Sequence, residues 1–294
     1  MPRLEVLKTY KIFIAGKFPR TESGRYYIAE NKKGDKLANV CLSSRKDFRD
    51  AVIAARSAFN DWGSRAAFNR SQVLYRIAEM LEGRKAQFID ELMKQDSTKE
   101  QAEKEVSLSI ERLIYYAGWC DKFQQLYSTV NPVASSHFNF SAPEPTGVVS
   151  IIAPQNNSLI GLVSVIAPII AGGNTCVVLA SASKPLCAVT FAEVLGTSDV
   201  PGGTINILTG RAGELLSWFS DHMDVNAIVF CENDKEAILK IQQKATLNLK
   251  RVLLWNNYNW LLETAQNPYL INDAQEIKTT WHPIENIGGA KAGY

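Results

Sequence analysis

Apolar positions change their period along this chain. Residues 10–14 (YKIFI) and 26–29 are short aromatic and β-branched runs, punctuated by Ala15-Gly16 and Ser23-Gly24, and they predict strands or hairpins. Ser44 and Asp47 then make an S-x-x-D helix start. Behind it Phe48, Ala51, Val52, Ala55, Phe59 and Trp62 recur at helical spacing. A second helix is expected over 68–93, with Val73, Leu74, Ile77, Met80 and Leu81 on one face. A third is expected over 99–123, carrying Val106, Ile110, Leu113 and Ile114. Together they read as an amphipathic helical layer packed on a core.

Residues 127–146 are polar and turn-rich, with strand-like alternation over 137–141. From Gly147 onward the pattern changes, opening on a buried-strand run. GVVSIIAP is a strand, 159–171 a helix, TCVVL a strand and 186–195 a helix. TINIL, a helix over 213–220, AIVF, a helix over 235–245 and RVLLW complete the series. Five strands alternating with helices predict an α/β fold, a doubly wound Rossmann-like parallel sheet behind the N-terminal helical layer.

At 294 residues the chain allows one large or two modest domains. Thirty-two Lys and Arg stand against thirty Asp and Glu, a balance that gives no field directed at nucleic acid or an acidic membrane. Five cysteines, at 41, 120, 176, 187 and 231, lie far apart with no CxxC, which reads as reduced thiols in a cytoplasmic protein. With only His137, His222 and His282, no zinc site is expected. The N-terminus lacks an apolar h-region, and the most apolar stretch, 159–171, is too short to span a bilayer.

The expected dinucleotide signature is missing. The first strand–helix turn reads Pro154-Gln155-Asn156-Asn157-Ser158 and contains no glycine. Gly210-x-x-Gly213 and Gly172-Gly173-Asn174 read on their own as loops needing free backbone angles. No cysteine has an evident base beside it in sequence, and His222 reads as a surface or capping residue.

Taken in order, however, the segments resemble an aldehyde dehydrogenase. EPTGVV (144–149) leads into SIIAPQNNS, which is similar to the family's strand ending in P-W-N-F-P. AGGNTCVVL resembles A-x-G-N-T-V-V-L-K, and VPGGTINILTG resembles L-P-P-G-V-V-N-I-V-T-G. SDHMDVNAIVF resembles H-x-D-V-x-x-I-x-F-T-G-S, and NLKRVLLW resembles the strand ending in L-E-L-G-G-K. Upstream, YKIFIAGKF and AFNDW match the family's opening, and EIKTT (276–280) resembles its C-terminal T-E-V-K-T-V strand.

The resemblance implies a cysteine thiolate that attacks the aldehyde, an oxyanion-holding Asn, hydride transfer to NAD and a deacylating Glu. Only the Asn is matched, by Asn156. The Glu position falls on Trp255, the following Gly-Gly on Asn257-Tyr258, and no G-Q-x-C occurs after Trp255. An indole cannot act as general base. The ribose-binding Lys becomes Ala180, the acidic residue beyond it falls near Ser183, and the G-S pair becomes Glu232-Asn233. Candidate cofactor contacts are Pro154, Gln155, Asn156 and Gly210. No cofactor is expected, with a residual NAD site as the alternative, and no metal.

The arrangement resembles the truncated C-terminal domain of aldehyde dehydrogenase family sixteen proteins. It implies a cofactor-type domain over 1–128 and 147–268, oligomerisation-type strands over 129–146 and 269–294, and no catalytic domain of the family. Three roles are compatible with it: a non-catalytic assembly module, a degenerate nucleotide binder, and a dehydrogenase with its nucleophile supplied in trans. The first is the expectation, with an aldehyde dehydrogenase domain of the same protein or a second subunit as partner, in a homo-oligomer. The strands at 137–141 and 276–281 are expected to be antiparallel neighbours.

Overall fold

The structure, a computed structural model, describes residues 6–284. The chain opens with β1 (Thr9–Tyr10), β2 (Tyr26–Glu30) and β3 (Lys36–Cys41), a three-stranded sheet in the order β1-β3-β2. The sequence pattern does not announce β3, whose KLANVC carries no clean alternation. Helix α1 (Arg45–Ser64) starts on the expected capping box: the Ser44 hydroxyl accepts from the Asp47 amide, and the Asp47 carboxylate accepts from the Ser44 amide at 2.7 Å.

The single helix expected over 68–93 is two, α2 (Ala67–Gly83) and α3 (Lys85–Lys94). They meet at Arg84, whose backbone leaves the helical region (φ −109°, ψ 13°) and whose guanidinium binds Gln87 and Glu193. The break follows Gly83, a weak helix former, and lets Phe88 and Leu92 turn into the core. The next helix is likewise shorter than 99–123. Helix α4 (Lys99–Trp119), capped by Thr98 and Gln101, gives way to the short α5 (Phe123–Tyr127). Then come β4 (Thr129–Asn131), also absent from the sequence expectation, and β5 (His137–Pro145), longer than the alternation over 137–141 indicates.

The remaining elements follow the expected alternation: β6 (Val148–Ile152), α6 (Ile160–Ala171), β7 (Thr175–Leu179), α7 (Leu186–Leu195), β8 (Ile205–Leu208), α8 (Ala212–Asp221), β9 (Ala227–Phe230), α9 (Lys235–Ala245) and β10 (Arg251–Leu254). The five strands are all parallel, in the order β10-β9-β6-β7-β8. In chain order that is 5-4-1-2-3, the Rossmann arrangement, with its switch point between β6 and β9.

Both faces of the sheet are covered, which is why its strands read as continuous apolar runs. Val149 and Ile151 face the layer of α2, α4 and α6, while Val148 and Ile152 face α1, α8 and α9. All twelve residues of α6 are buried, so that helix is apolar on every side. The outer edge of β8 is closed by the N-terminal segment, where Phe13 and Ile207 exchange both backbone hydrogen bonds at 2.8 Å. Glycine is required where β6 begins: Gly147 has φ +133°, and a Cβ there would lie 2.2 Å from the Asn226 carboxamide oxygen.

After β10 the chain crosses to α10 (Tyr269–Asn272) and β11 (Gln275–Pro283). β11 pairs antiparallel with β5 in a sheet ordered β11-β5-β4, with Thr279 opposite Ser141 and Gln275 opposite Pro145. The expected antiparallel pairing of 137–141 with 276–281 is therefore present, with β5 running on to Pro145 and β11 reaching from Gln275 to Pro283. The last residues of the expected 269–294 segment, 285–294, lie outside the described residues. No helix among the described residues is long and apolar enough to cross a membrane.

Candidate site at the sheet switch point

In an open parallel sheet the ligand crevice lies beyond the strand C-termini where the winding reverses. Here that point is the gap between the turn after β6 and the turn after β9. A crevice of about 550 Å³ occupies it, walled by Asn156, Asn157, Glu232, Asn256, Tyr258 and Trp260 among others. Pro154 and Asn156 of the expected set line it directly, as do Glu232 and Asn233.

Glu232 bridges the gap. Its Oε1 accepts from the Gln155 amide at 2.8 Å, so the carboxylate is fixed on a backbone donor from the opposite strand end. The Gln155 carbonyl is taken by both Ser181 and Ser183 hydroxyls at 2.8 Å, and its side-chain oxygen accepts from the Ala182 amide. Ala180 is buried under this cluster. The amides that open α6 are also occupied, since the buried Glu105 accepts from Leu159 and Ile160 at 2.8 and 3.1 Å. These residues do not fit a dinucleotide phosphate. The Gln155, Leu159 and Ile160 amides are engaged, a carboxylate stands in the gap, and among the described residues no Lys or Arg lines the crevice.

Gly210 is not brought into this set. It packs beside Ser43 and Leu215 at the far edge of the sheet, where a Cβ would lie 3.4 Å from the Ser43 amide. Its glycine serves a close approach of the N-terminal segment, which the sequence pattern alone cannot distinguish from a phosphate loop.

Trp255 is buried, and its indole Nε1 donates to the Asp273 carboxylate at 3.1 Å. Arg251, four residues earlier, donates to the Asp273 and Gln275 carbonyls and to Glu276. Asn174, within the Gly172-Gly173-Asn174 turn, links the Gly147 amide to the Ala274 carbonyl. Trp255 and Arg251 therefore hold the tail against the sheet.

Sequence reasoning misses the wall made by 256–260. Arg112 of α4 is fully buried and donates to Ser164 and to the Trp260 and Leu262 carbonyls, fixing this wall. The available signal is NNYNW standing immediately after the last strand, where switch-point ligands are met.

All five cysteines are buried without disulfides. Burial pushes the Cys120 thiol up to about 12, and raises Cys176, Cys187 and Cys231 as well, the last two further opposed by neighbouring carboxylates. These four thiols are not poised as thiolate nucleophiles. Among the described residues no group of three or more His, Cys, Asp and Glu side chains could hold a metal ion.

The sequence profile of the aldehyde dehydrogenase family matches residues 19–256. The chain belongs to that family. Cytosolic 10-formyltetrahydrofolate dehydrogenase of Mus musculus is 32% identical over 258 residues, covering 86% of this chain and 29% of that protein. Mitochondrial 10-formyltetrahydrofolate dehydrogenase of Homo sapiens is 32% identical over 251 residues, covering 83% and 27%. Among solved structures, the NAD+ complex of aldehyde dehydrogenase from Bacillus cereus superposes with a TM-score of 0.79 at 26% identity, covering 84% of this chain and 50% of that one. HpcC from Thermus thermophilus gives the same score and identity, covering 84% and 48%. This aldehyde dehydrogenase-type chain thus spans less than a third of those curated relatives and about half of the matched structures, within which its parallel sheet and helices superpose.

Proposed function

We propose that this chain is a non-catalytic aldehyde dehydrogenase-like domain that acts in assembly, within a larger cytoplasmic family member or between subunits. The observation that carries this reading is β11. It is a nine-residue strand paired on one side only, and it leaves its outer edge open among the described residues. An unpaired edge of that length is a template for another chain. Exposed apolar side chains stand on both faces of its sheet: Ile277 and Trp281 on one, Val130 and Phe138 on the other. The partner is an aldehyde dehydrogenase domain of the same longer protein or a second copy, as in the family sixteen arrangement.

Trp255 in place of a base, the raised thiols and the engaged loop donors support a role apart from catalysis. The test is the mass in solution of the wild-type chain and of Ile277→Lys/Trp281→Lys, whose side chains are more than half exposed and so tolerate charge. Dissociation of an associated species with unchanged melting is expected if this face meets the partner. A mass unchanged both in this variant and in Val130→Lys/Phe138→Lys on the other face, or aldehyde-dependent NAD reduction by the isolated chain, overturns the reading.

A further inference from the structure

The switch-point crevice has a composition of its own, independent of the association role. Its polar lining is made of carboxamides and one carboxylate. The Asn156, Asn157 and Asn256 side chains make no hydrogen bond among the described residues, although each lines the cavity. Each free carboxamide offers two donors and one acceptor without charge. Tyr258 and Trp260 supply an aromatic wall, their rings stacked with centroids 5.0 Å apart and 28° between planes. Beneath it, buried Arg112 holds the backbone on either side of Leu261. The volume of about 550 Å³ is within the range that encloses a small organic molecule.

We propose that this crevice binds an uncharged ring compound bearing several hydroxyl groups, a nucleoside or a sugar, and excludes its phosphorylated forms. Hydroxyls both donate and accept, as the unpaired carboxamides do, so a ligand of that kind satisfies them without an unpaired charge. A flat or weakly polar ring face suits the aromatic wall. Exclusion of phosphate follows from Glu232, which stands in the gap with one oxygen on the Gln155 amide and, among the described residues, no Lys or Arg lining the crevice beside it. A family frame for a dinucleotide would thereby be re-purposed for a neutral ligand.

The probes are adenosine, glucose and adenosine monophosphate, titrated by calorimetry and ligand-observed NMR against the wild-type chain. Saturable binding of adenosine or of glucose is expected, and which one binds identifies the source of the hydroxyls. Adenosine monophosphate is expected to bind at least about tenfold more weakly than adenosine, a gap that Glu232→Gln narrows. Asn156→Ala and Asn256→Ala, which remove side chains with no structural hydrogen bond, are expected to weaken binding about tenfold each while the melting temperature stays unchanged. Failure of both neutral probes to saturate overturns the proposal. So does equal affinity for the phosphorylated probe, or binding untouched by both Asn variants in folded protein.

Discussion

The Trp255 indole and the Asp273 carboxylate are 3.1 Å apart, joining the last strand of the large sheet to the turn that launches β11. Asp273 is partly withdrawn from water, and burial raises its carboxyl above the ordinary value while the indole hydrogen bond and Arg251 act the other way. Trp255→Phe keeps most of the packing but leaves that carboxylate short of a donor, with an expected loss of about 1–2 kcal/mol. Trp255→Ala also opens a cavity beneath the tail and is expected to lose about 3–5 kcal/mol. Trp255→Glu places a second carboxylate beside Asp273. It is expected to destabilise the fold without producing aldehyde oxidation. Denaturant melts with a parallel NAD-reduction assay check all three, and a Trp255→Glu chain as stable as wild type would show that the side chain does not clip the tail.

Glu91 gives a pH signature. Its carboxyl is buried, its Oε1 accepts from the Tyr10 and Thr190 hydroxyls at 2.7 Å, and its Oε2 has no partner. Burial raises its pKa above the ordinary 4.5, the two hydroxyls and Lys8 pulling the other way and Glu193 adding to the rise. The folded state therefore holds this proton more tightly than the unfolded chain does. Its contribution to stability is complete below the ordinary carboxyl value and is lost as pH rises through the folded one. Glu91→Gln keeps an acceptor for both hydroxyls and removes the titration. The variant is expected to gain on wild type as pH rises above the ordinary carboxyl value. Melting curves at several pH values that ran parallel for the two proteins would exclude this account.

The engaged loops set the expectation for NAD. With Glu232 on the Gln155 amide and Glu105 on the Leu159 and Ile160 amides, a pyrophosphate meets a fixed carboxylate and loses three backbone donors of this turn. Calorimetry is expected to show no micromolar binding to the wild-type chain. Glu232→Gly releases the amide and the charge together, and joined to Ala180→Lys it is the pair expected to gain measurable affinity. Micromolar binding by the unaltered chain would mean that these contacts rearrange at little cost.

The parallel sheet is legible because its strands are buried on both faces, so β6 and β7 read as uninterrupted apolar runs. The order of the segments carries the family resemblance where no single motif does. What fails to show in sequence is local. Arg84 interrupts the long second helix through backbone angles and long-range contacts to Glu193, neither of which alters apolar periodicity. β3 and β4 are short strands whose partners, not their own composition, define them. At the site, Asn156, Glu232 and Trp255 emerge from alignment to a family pattern. The work that Trp255 does instead depends on Asp273, eighteen residues away, and no spacing rule connects the two.

The tail carries two separable tasks, which truncation and surface substitution should distinguish. Residues 269–275 are part of the core: Leu270, Ile271, Ala274 and Gln275 are buried, and Gln275 donates to the Gly172 carbonyl. Arg251 and Asn174 bind carbonyls of the same stretch. Deleting 272–294 removes Ala274 and Gln275, strips Trp255 and Arg251 of their partners, and uncovers β5. The expected result is loss of several kcal/mol and aggregation, an outcome that cannot by itself report on assembly. Beyond Gln275 the side chains are mostly exposed, and Ser141 with Thr279 joins β5 to β11 through hydroxyls 2.8 Å apart. Val130→Lys/Phe138→Lys on one face and Ile277→Lys/Trp281→Lys on the other leave those buried contacts in place. Light scattering and melting of the two pairs are expected to retain the wild-type melt while at least one pair lowers the mass in solution. The face whose substitution does so is the one that meets the partner, and a wild-type mass for both pairs would remove the small sheet from the assembly surface.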